Sequence, residues 1–297
     1  MPARASELAG KSFISETKGE FEMPIGVCKL CLQARPLQDS HYLPKGAYKI
    51  NRAPALKNAS PVVLSNEQLL QSSAQLSDYL LCSDCEQRFS KNGEAWVLGN
   101  VPRNYGEKFP ILDALNAETP LLVDGGTKLY AGAKVKSLDM QKIVYFAVSV
   151  FWRGAVHQWT SSLRSEAPDV HLCAYEEPIR QFLLGTSPLP DDVALTVFVC
   201  PNGSVLNAML VPWEAHLKEC SRYLFYVSGL GFVLHFADKL PQNFRKVCAD
   251  HSPDRVVVVS TEFENVIRQV LREHAMSSDD SRIQKMLQEI AKIRAKP

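Results

Sequence analysis

The sequence predicts an α+β protein, in which an N-terminal unit carrying paired cysteines precedes an α+β domain with an antiparallel sheet and helices. Three observations lead to this prediction. Two CxxC pairs stand far apart in the first third of the chain, apolar residues follow helical spacing from residue 143, and runs of β-branched and aromatic residues alternate with turn signals after residue 190. With 297 residues, of which 46% are apolar and 22% charged, the chain has ample material for a buried core.

Composition also narrows the class of protein. The formal net charge of +1 provides no general field for nucleic acid, so any such contact requires a local basic patch. The longest apolar run, 143–152, has about half of the ~20 residues that a membrane-spanning helix needs. No signal-peptide pattern opens the chain, and eight cysteines without an export signal favour a reducing compartment. We therefore expect a cytoplasmic protein without membrane contact.

Turn signals and polar stretches predict the organisation along the chain. A short strand is expected at 62–64, within a long polar excursion, and the Asp-Gly-Gly turn at 124–126 is expected to close a hairpin. The domain boundary is expected between residues 105 and 125. The predicted segments are a flexible lead-in, 1–20, a metal-binding domain, 21–110, and an α+β domain of unknown role, 120–297.

Helical periodicity predicts three further elements in the second half. Asp139 or Ser137 can cap a helix that is apolar on several faces, so we expect this helix to be central. A short second helix should end at Gly185, since glycine readily takes the left-handed conformation of a C-terminal cap. The segment 281–296 has the pattern of an amphipathic helix.

Strands are predicted between and after these helices. Two are joined through the turn at 201–203, and a second pair turns near 228–231. Another strand is expected at 255–260. It should lead into a helix opened by a capping box of Thr261 and Glu264.

The paired cysteines predict a metal site. They form the two pairs Cys28–Cys31 and Cys82–Cys85. A two-residue gap lets both thiolates of a pair bind one tetrahedral ion, so the two pairs together suit a structural Zn²⁺ with four sulfur ligands. The stretch 32–81 must then loop out and return. Coincidence and a redox-active CxxC are the alternatives, although neither pair follows a clear strand and opens a βαβ unit.

These cysteine pairs, Ser40-His41 and the following Pro44 together resemble the HNH nucleases of the ββα-metal (His-Me finger, treble-clef) superfamily, over about residues 25–100. The resemblance implies a zinc-braced treble clef, His41 as general base, and one catalytic divalent cation that acts on a phosphodiester of DNA or RNA. Proteins of this kind often occur in prokaryotic defence or in mobile elements. Independently of the family, a histidine suits this role because its pKa lies near neutrality.

The sequence departs from the family at Glu86, where these nucleases usually carry a metal-binding histidine. A carboxylate suits Mg²⁺ or Mn²⁺, so Glu86, with Asp78 nearby, could rebuild the catalytic site. Alternatively, Glu86 is only a carboxylate favoured at a helix N-terminus, and the unit has kept its zinc without the chemistry. Glu94 is expected to lie outside the site, because Gly93 makes a continuous helix doubtful.

His41 and the residues around it also have two interpretations. His41 itself could cap a strand or contact nucleic acid rather than act as a base, and Ser40 or a backbone carbonyl could orient its ring. Basic residues follow it among tyrosines, as in surfaces that bind phosphate and bases. The expected nucleic-acid contacts are Lys45, Lys49, Arg52 and Arg88.

The sequence is therefore compatible with two functions. The first is an HNH-like, metal-dependent endonuclease with His41 and Glu86 as catalytic residues. The alternative is a non-catalytic zinc-binding module that recognises nucleic acid or protein. The second half carries no nucleophile elbow, phosphate loop, HExxH or kinase motif, so we expect it to provide substrate choice, a homo-oligomer contact or a protein partner.

Overall fold

The computed structural model describes residues 23–51, 62–65, 68–71, 75–102, 107–160, 167–202, 208–214, 221–236, 240–277 and 285. The chain folds as a mixed α+β protein, as predicted. Its strands are β1 (Ile25–Val27), β2 (Ala34–His41), β3 (Val62–Ser65), β4 (Gln68–Gln71), β5 (Ser77–Cys82), β6 (Leu122–Asp124), β7 (Thr127–Ala131), β8 (Val193–Val199), β9 (Ala208–Glu214), β10 (Ser221–Val227), β11 (Leu230–Phe236) and β12 (Val256–Ser260).

Eight α-helices accompany the described strands, together with short 3₁₀ and π turns. They are α1 (Lys45–Ile50), α2 (Ser83–Phe89), α3 (Ala95–Gly99), α4 (Pro110–Asn116), α5 (Met140–Val156), α6 (Glu176–Leu184), α7 (Gln242–Lys246) and α8 (Thr261–Ser277). Asp139 caps α5, since its side chain accepts a hydrogen bond from the Lys142 amide at 3.1 Å. Gly185 ends α6 with φ at 75°. Both caps were predicted and are confirmed.

A small antiparallel sheet carries the N-terminal cysteines, with the strand order β1-β2-β5. In its register Leu37 lies opposite Cys82, and His41, the last residue of β2, lies opposite Ser77. The pairing of β2 with β5 thereby places the second cysteine pair beside the first, although the two pairs are far apart in the sequence. The small sheet thus carries the cysteine-bearing turn at one end of β2 and the histidine at the other.

A continuous helical stretch follows β5 and runs through α2, a π turn at Ser90–Glu94, and α3. Gly93 lies in the π turn and allows α5 to approach closely, because a Cβ built there would stand 2.8 Å from the Phe146 amide nitrogen. The expectation that Gly93 interrupts this helix is therefore wrong. The glycine widens one turn and keeps the chain helical through Glu94.

The second sheet contains nine described strands in the order β4-β3-β9-β10-β11-β8-β12-β7-β6. Its neighbouring strands are antiparallel except for two parallel pairs, β3 with β9 and β12 with β8. The hairpin at Asp124 and Thr127 and the hairpin from β10 to β11 are confirmed. β8 and β9 are both present, but they are not neighbours, because β10 and β11 lie between them.

Helix α5 is the centre of the fold, as its pattern predicted. Residues on all of its faces are buried, and it contacts the π turn, α6 and strands β9 and β11. One cluster of buried apolar residues extends from the cysteine-bearing sheet through α5 to the large sheet. The division into domains at 21–110 and 120–297 stays a prediction.

The start of α8 differs from the prediction. Ser260 caps the helix, because its hydroxyl accepts a hydrogen bond from the Phe263 amide at 3.1 Å. Glu264 instead accepts one from the Asn202 amide at 2.8 Å, so the expected capping box with Thr261 is wrong. The predicted helix at 281–296 falls outside the described residues except at position 285.

Candidate metal centre and adjoining cleft

The first cysteine pair lies in the tight turn between β1 and β2. The Cys28 amide donates to the Gln33 carbonyl at 3.0 Å, and the Leu32 amide donates to the Cys28 carbonyl at 2.8 Å. Leu32 takes a left-handed conformation with φ at 59°, which turns the chain back toward β2. The turn therefore brings Cys28 and Cys31 to the same side.

The second pair lies where β5 passes into α2. Cys82 is extended at the N-cap of α2, and Cys85 follows in its first turn. The Cys82 amide donates to the Cys28 sulfur at 3.3 Å, and the sulfurs of Cys31 and Cys82 lie 3.9 Å apart. All four sulfurs lie within 4.8 Å of one another, and no disulfide joins them.

This cluster has the donor set of a tetrahedral metal site. Thiolates bound to one Zn²⁺ at about 2.3 Å would lie about 3.8 Å apart, close to the observed distance between Cys31 and Cys82. A hydrogen bond from the Cys85 thiol lowers the pKa of Cys28 to about 4, while the same contact raises the pKa of Cys85. A divalent cation binds cysteines as thiolates, so the cysteines that bind it lose their protons. Among the described residues, no other group of three or more His, Cys, Asp or Glu side chains gathers so closely.

A cleft of ≈ 940 Å³ lies between the end of β2, α1 and the helical stretch from α2 to α3. It collects charged side chains that are distant in the sequence, including four of the predicted site residues. The charged and titratable residues that line it are Asp39, His41, Lys45, Lys49, Glu86, Glu94 and Arg153.

His41 stands at this cleft as the last residue of β2 and is partly buried. Burial lowers the pKa of its imidazole below the usual 6.5, because the charged form loses hydration, while the nearby Asp39 carboxylate opposes the shift. The lowered pKa favours the neutral form of the ring over the charged form. Ser40 does not orient it: the Ser40 side chain is buried, accepts from the Leu81 amide and donates to the Gln38 carbonyl.

Glu86 enters the cleft from α2, next to the ligand Cys85. Its Oε1 atom is buried and has no hydrogen-bond partner among the described residues. Burial raises the pKa of this carboxyl, and the neighbouring Arg153 charge opposes that effect. A buried carboxylate oxygen without a donor is costly, so it can accept a cation or a ligand donor.

Sequence reasoning missed three of these charged cleft residues: Asp39, Glu94 and Arg153. Glu94 was expected outside, but the π turn at Ser90–Glu94 directs it into the cleft, where it forms a short ion pair with Arg153. In the sequence, Arg153 directly follows the apolar run 143–152. An arginine within an otherwise buried helix was the available signal, because such a charge requires a partner.

The remaining predicted residues lie elsewhere. Arg88 donates to the Leu184 carbonyl at 3.2 Å, and Asp78 pairs with His157 at 3.0 Å; neither residue is part of the cleft lining. Arg52 lies outside the described residues. Of the four expected basic contacts, the cleft thus contains Lys45 and Lys49.

Comparisons of the chain with protein-family models, with curated proteins and with solved structures find no match. Within the part of the chain that the structure describes, no helix combines the length and apolarity needed to cross a bilayer.

Proposed function

We propose that this protein is an HNH-like, metal-dependent endonuclease that hydrolyses phosphodiester bonds of DNA or RNA, with structural zinc on its four cysteines. The observation that carries the proposal is a single cleft beside the cysteine cluster, lined by His41, Glu86, Lys45 and Lys49. A phosphodiester requires a base for water, a cation ligand and positive charge for the phosphate. The cleft offers side chains suited to each of these roles.

His41 would take the proton of the attacking water on an unprotonated ring nitrogen. Its lowered pKa keeps the imidazole neutral and able to accept that proton at neutral pH. Lys45 and Lys49 follow one another on α1, at the rim of the cleft, where their ammonium groups can bind phosphate oxygens. These residues would hold the scissile phosphate opposite the base.

Glu86 would hold the catalytic Mg²⁺ or Mn²⁺ through its unpartnered, buried Oε1 atom. When bound, such a cation neutralises the charge that develops on the phosphate and the leaving oxygen. The treble-clef arrangement and the identity of the ion at the cysteines belong to the same proposal. Four cysteine sulfurs favour zinc over the harder cations that suit Glu86.

One observation favours the alternative of a zinc module that binds nucleic acid or protein without catalysis. Among the described residues, only the cysteines gather closely enough to form a metal site from three or more side chains. Glu86 would then need water and substrate oxygens to complete the coordination of its cation. A binding module would need only the lysines and the surface around them.

The deciding experiment measures cleavage of plasmid DNA and of RNA with Mg²⁺, Mn²⁺ or Zn²⁺. We expect His41→Ala to lower the rate by about 10²–10⁴-fold, the contribution of a general base. His171→Ala is the matched control, because His171 is exposed and lies outside the cleft. Because a protonated His41 cannot act as base, the wild-type rate should rise with pH through a midpoint below 6.5.

Three outcomes would contradict the proposal or a part of it. If wild type and His41→Ala are equally inert while zinc stays near one ion per chain, the binding module is the better account. If the wild type cleaves and His41→Ala cleaves equally well, the base is not His41. Absence of bound zinc in the purified wild type would overturn the zinc assignment.

A further inference from the structure

Arg153 connects the central helix to the cleft. Its side chain is only 2% exposed although it lines the cleft, and it is carried by α5, far along the chain from the cysteine-bearing sheet. One guanidinium nitrogen donates to the carbonyls of His41 at 3.1 Å and Tyr42 at 3.2 Å. The other terminal nitrogen donates to Glu94 Oε1. A single buried cation therefore joins the strand that carries the histidine to the helix that carries Glu94.

The chain around Arg153 keeps His41 in place from the other side. Tyr42 packs against Gly154, where a Cβ would stand 2.2 Å from the tyrosine oxygen, and its ring stacks on Trp159 with centroids 5.2 Å apart. The Trp159 indole donates back to the Arg153 carbonyl at 2.9 Å. The backbone at His41 is thus held by one hydrogen bond to its own carbonyl, by a second to the Tyr42 carbonyl, and by packing of the Tyr42 side chain.

The Glu94 carboxylate neutralises the buried charge of Arg153 and lies beside it at the cleft. Its side chain is 15% exposed, so part of the carboxylate faces the cleft while Oε1 contacts the guanidinium. The guanidinium also lies over the Phe89 ring, 4.8 Å from the centroid, which restricts its plane. The planar fork of arginine suits this arrangement, because it donates in two fixed directions at once.

We propose that Arg153 is the positioning residue of the cleft: its guanidinium fixes the His41 backbone and the Glu94 carboxylate relative to each other, and so directs the imidazole toward the bound phosphate. This inference rests on the nuclease proposed above. Lysine at this position keeps the charge but cannot donate in both directions from a planar group. The expected consequence is a misplaced base with an intact core.

Steady-state cleavage by Arg153→Lys tests the proposal. A small displacement of a catalytic group typically costs about 10²-fold, so we expect kcat to fall by roughly 10- to 100-fold with KM nearly unchanged. Lys45→Ala should do the opposite and mainly raise KM. Arg245→Lys is the matched control, because Arg245 also contacts a backbone carbonyl, that of Asp191, and a carboxylate, that of Asp192, but lies outside the cleft and away from the cysteine turn.

A second readout separates this inference from the nuclease proposal. Ring ¹H–¹³C NMR signals of His41 should shift and broaden in Arg153→Lys and stay in place in Arg245→Lys, whether or not the protein cleaves. If the wild type is inert but these signals move, the nuclease proposal fails and the positioning role stands. If Arg153→Lys folds with unchanged kcat and unchanged His41 signals, the positioning role is wrong. Should Arg153→Lys not fold, Glu94→Gln serves in its place, with the same expectations and the same refuting result.

Discussion

Gly93→Ala tests how closely the π turn and α5 are packed. The added Cβ would stand 2.8 Å from the Phe146 amide nitrogen and 2.9 Å from its Cα and Cβ. Ordinary contacts of a Cβ begin near 3.4 Å, so the two helices must separate by about 0.6 Å, the difference between 3.4 and 2.8 Å. The contacted atoms are mostly backbone, and rotation of a side chain cannot relieve them.

Two effects of opposite sign decide the outcome. Alanine in a helix interior is more favourable than glycine by about 1 kcal/mol. Overpacking of a well-packed core costs about 1–3 kcal/mol, and contact with backbone belongs at the upper end of that range. We therefore expect Gly93→Ala to lower the free energy of unfolding by about 1–2 kcal/mol.

Urea unfolding monitored by circular dichroism measures this difference. Gly99→Ala is the matched control, because a Cβ there would meet nothing within 4 Å and the residue also lies in the helical stretch. The control should be as stable as the wild type or up to about 1 kcal/mol more stable. If Gly93→Ala is as stable as Gly99→Ala, the close approach of the π turn to α5 is not present in solution.

Two further predictions concern the cysteine cluster and a buried histidine. Cys82→Ser should lose the bound metal in elemental analysis and unfold at a lower temperature than the wild type, because metal binding contributes to folding; metal content equal to wild type would contradict this. His235 is buried beside Thr196 and Phe244, and burial lowers its pKa from 6.5 to about 4. Between pH 6.5 and 4 the native state then binds fewer protons than the unfolded state. The free energy of unfolding should therefore fall as the pH drops from 6.5 to 4, by up to about 3 kcal/mol from this group. In urea titrations at several pH values, His235→Gln should lose that part of the pH dependence. Equal pH dependence in both proteins would refute the assignment.

Local patterns predicted the elements of the fold better than their arrangement. The cap at Asp139 and the left-handed Gly185 are properties of a few neighbouring residues, and both were recoverable from sequence. The separation of β8 from β9 was not, since strand partners are chosen by packing across the whole sheet. At α8, two adjacent hydroxyl residues could each cap the helix, and Ser260 rather than Thr261 does so.

In the candidate site, too, the residues that follow a local pattern were predicted and those that depend on distant contacts were missed. The two CxxC spacings predicted the cysteine cluster, because two residues between thiols is a local geometric requirement. Glu94 was missed because its place in the cleft depends on a π turn packed against Phe146. Arg153 was missed because its partners stand 59 and 112 residues away in the sequence, beyond any periodic pattern.

The energetic cost of burying the Arg153 charge bears on the role of this residue in the cleft. Replacing a buried ion pair by well-packed apolar residues is often neutral or stabilising, so stability alone does not account for a charge in the core of α5. The donors of Arg153 instead go to the His41 and Tyr42 carbonyls and to the carboxylate of Glu94 at the cleft. The charge therefore serves the arrangement of the cleft, which makes α5 part of the candidate site as well as the centre of the core.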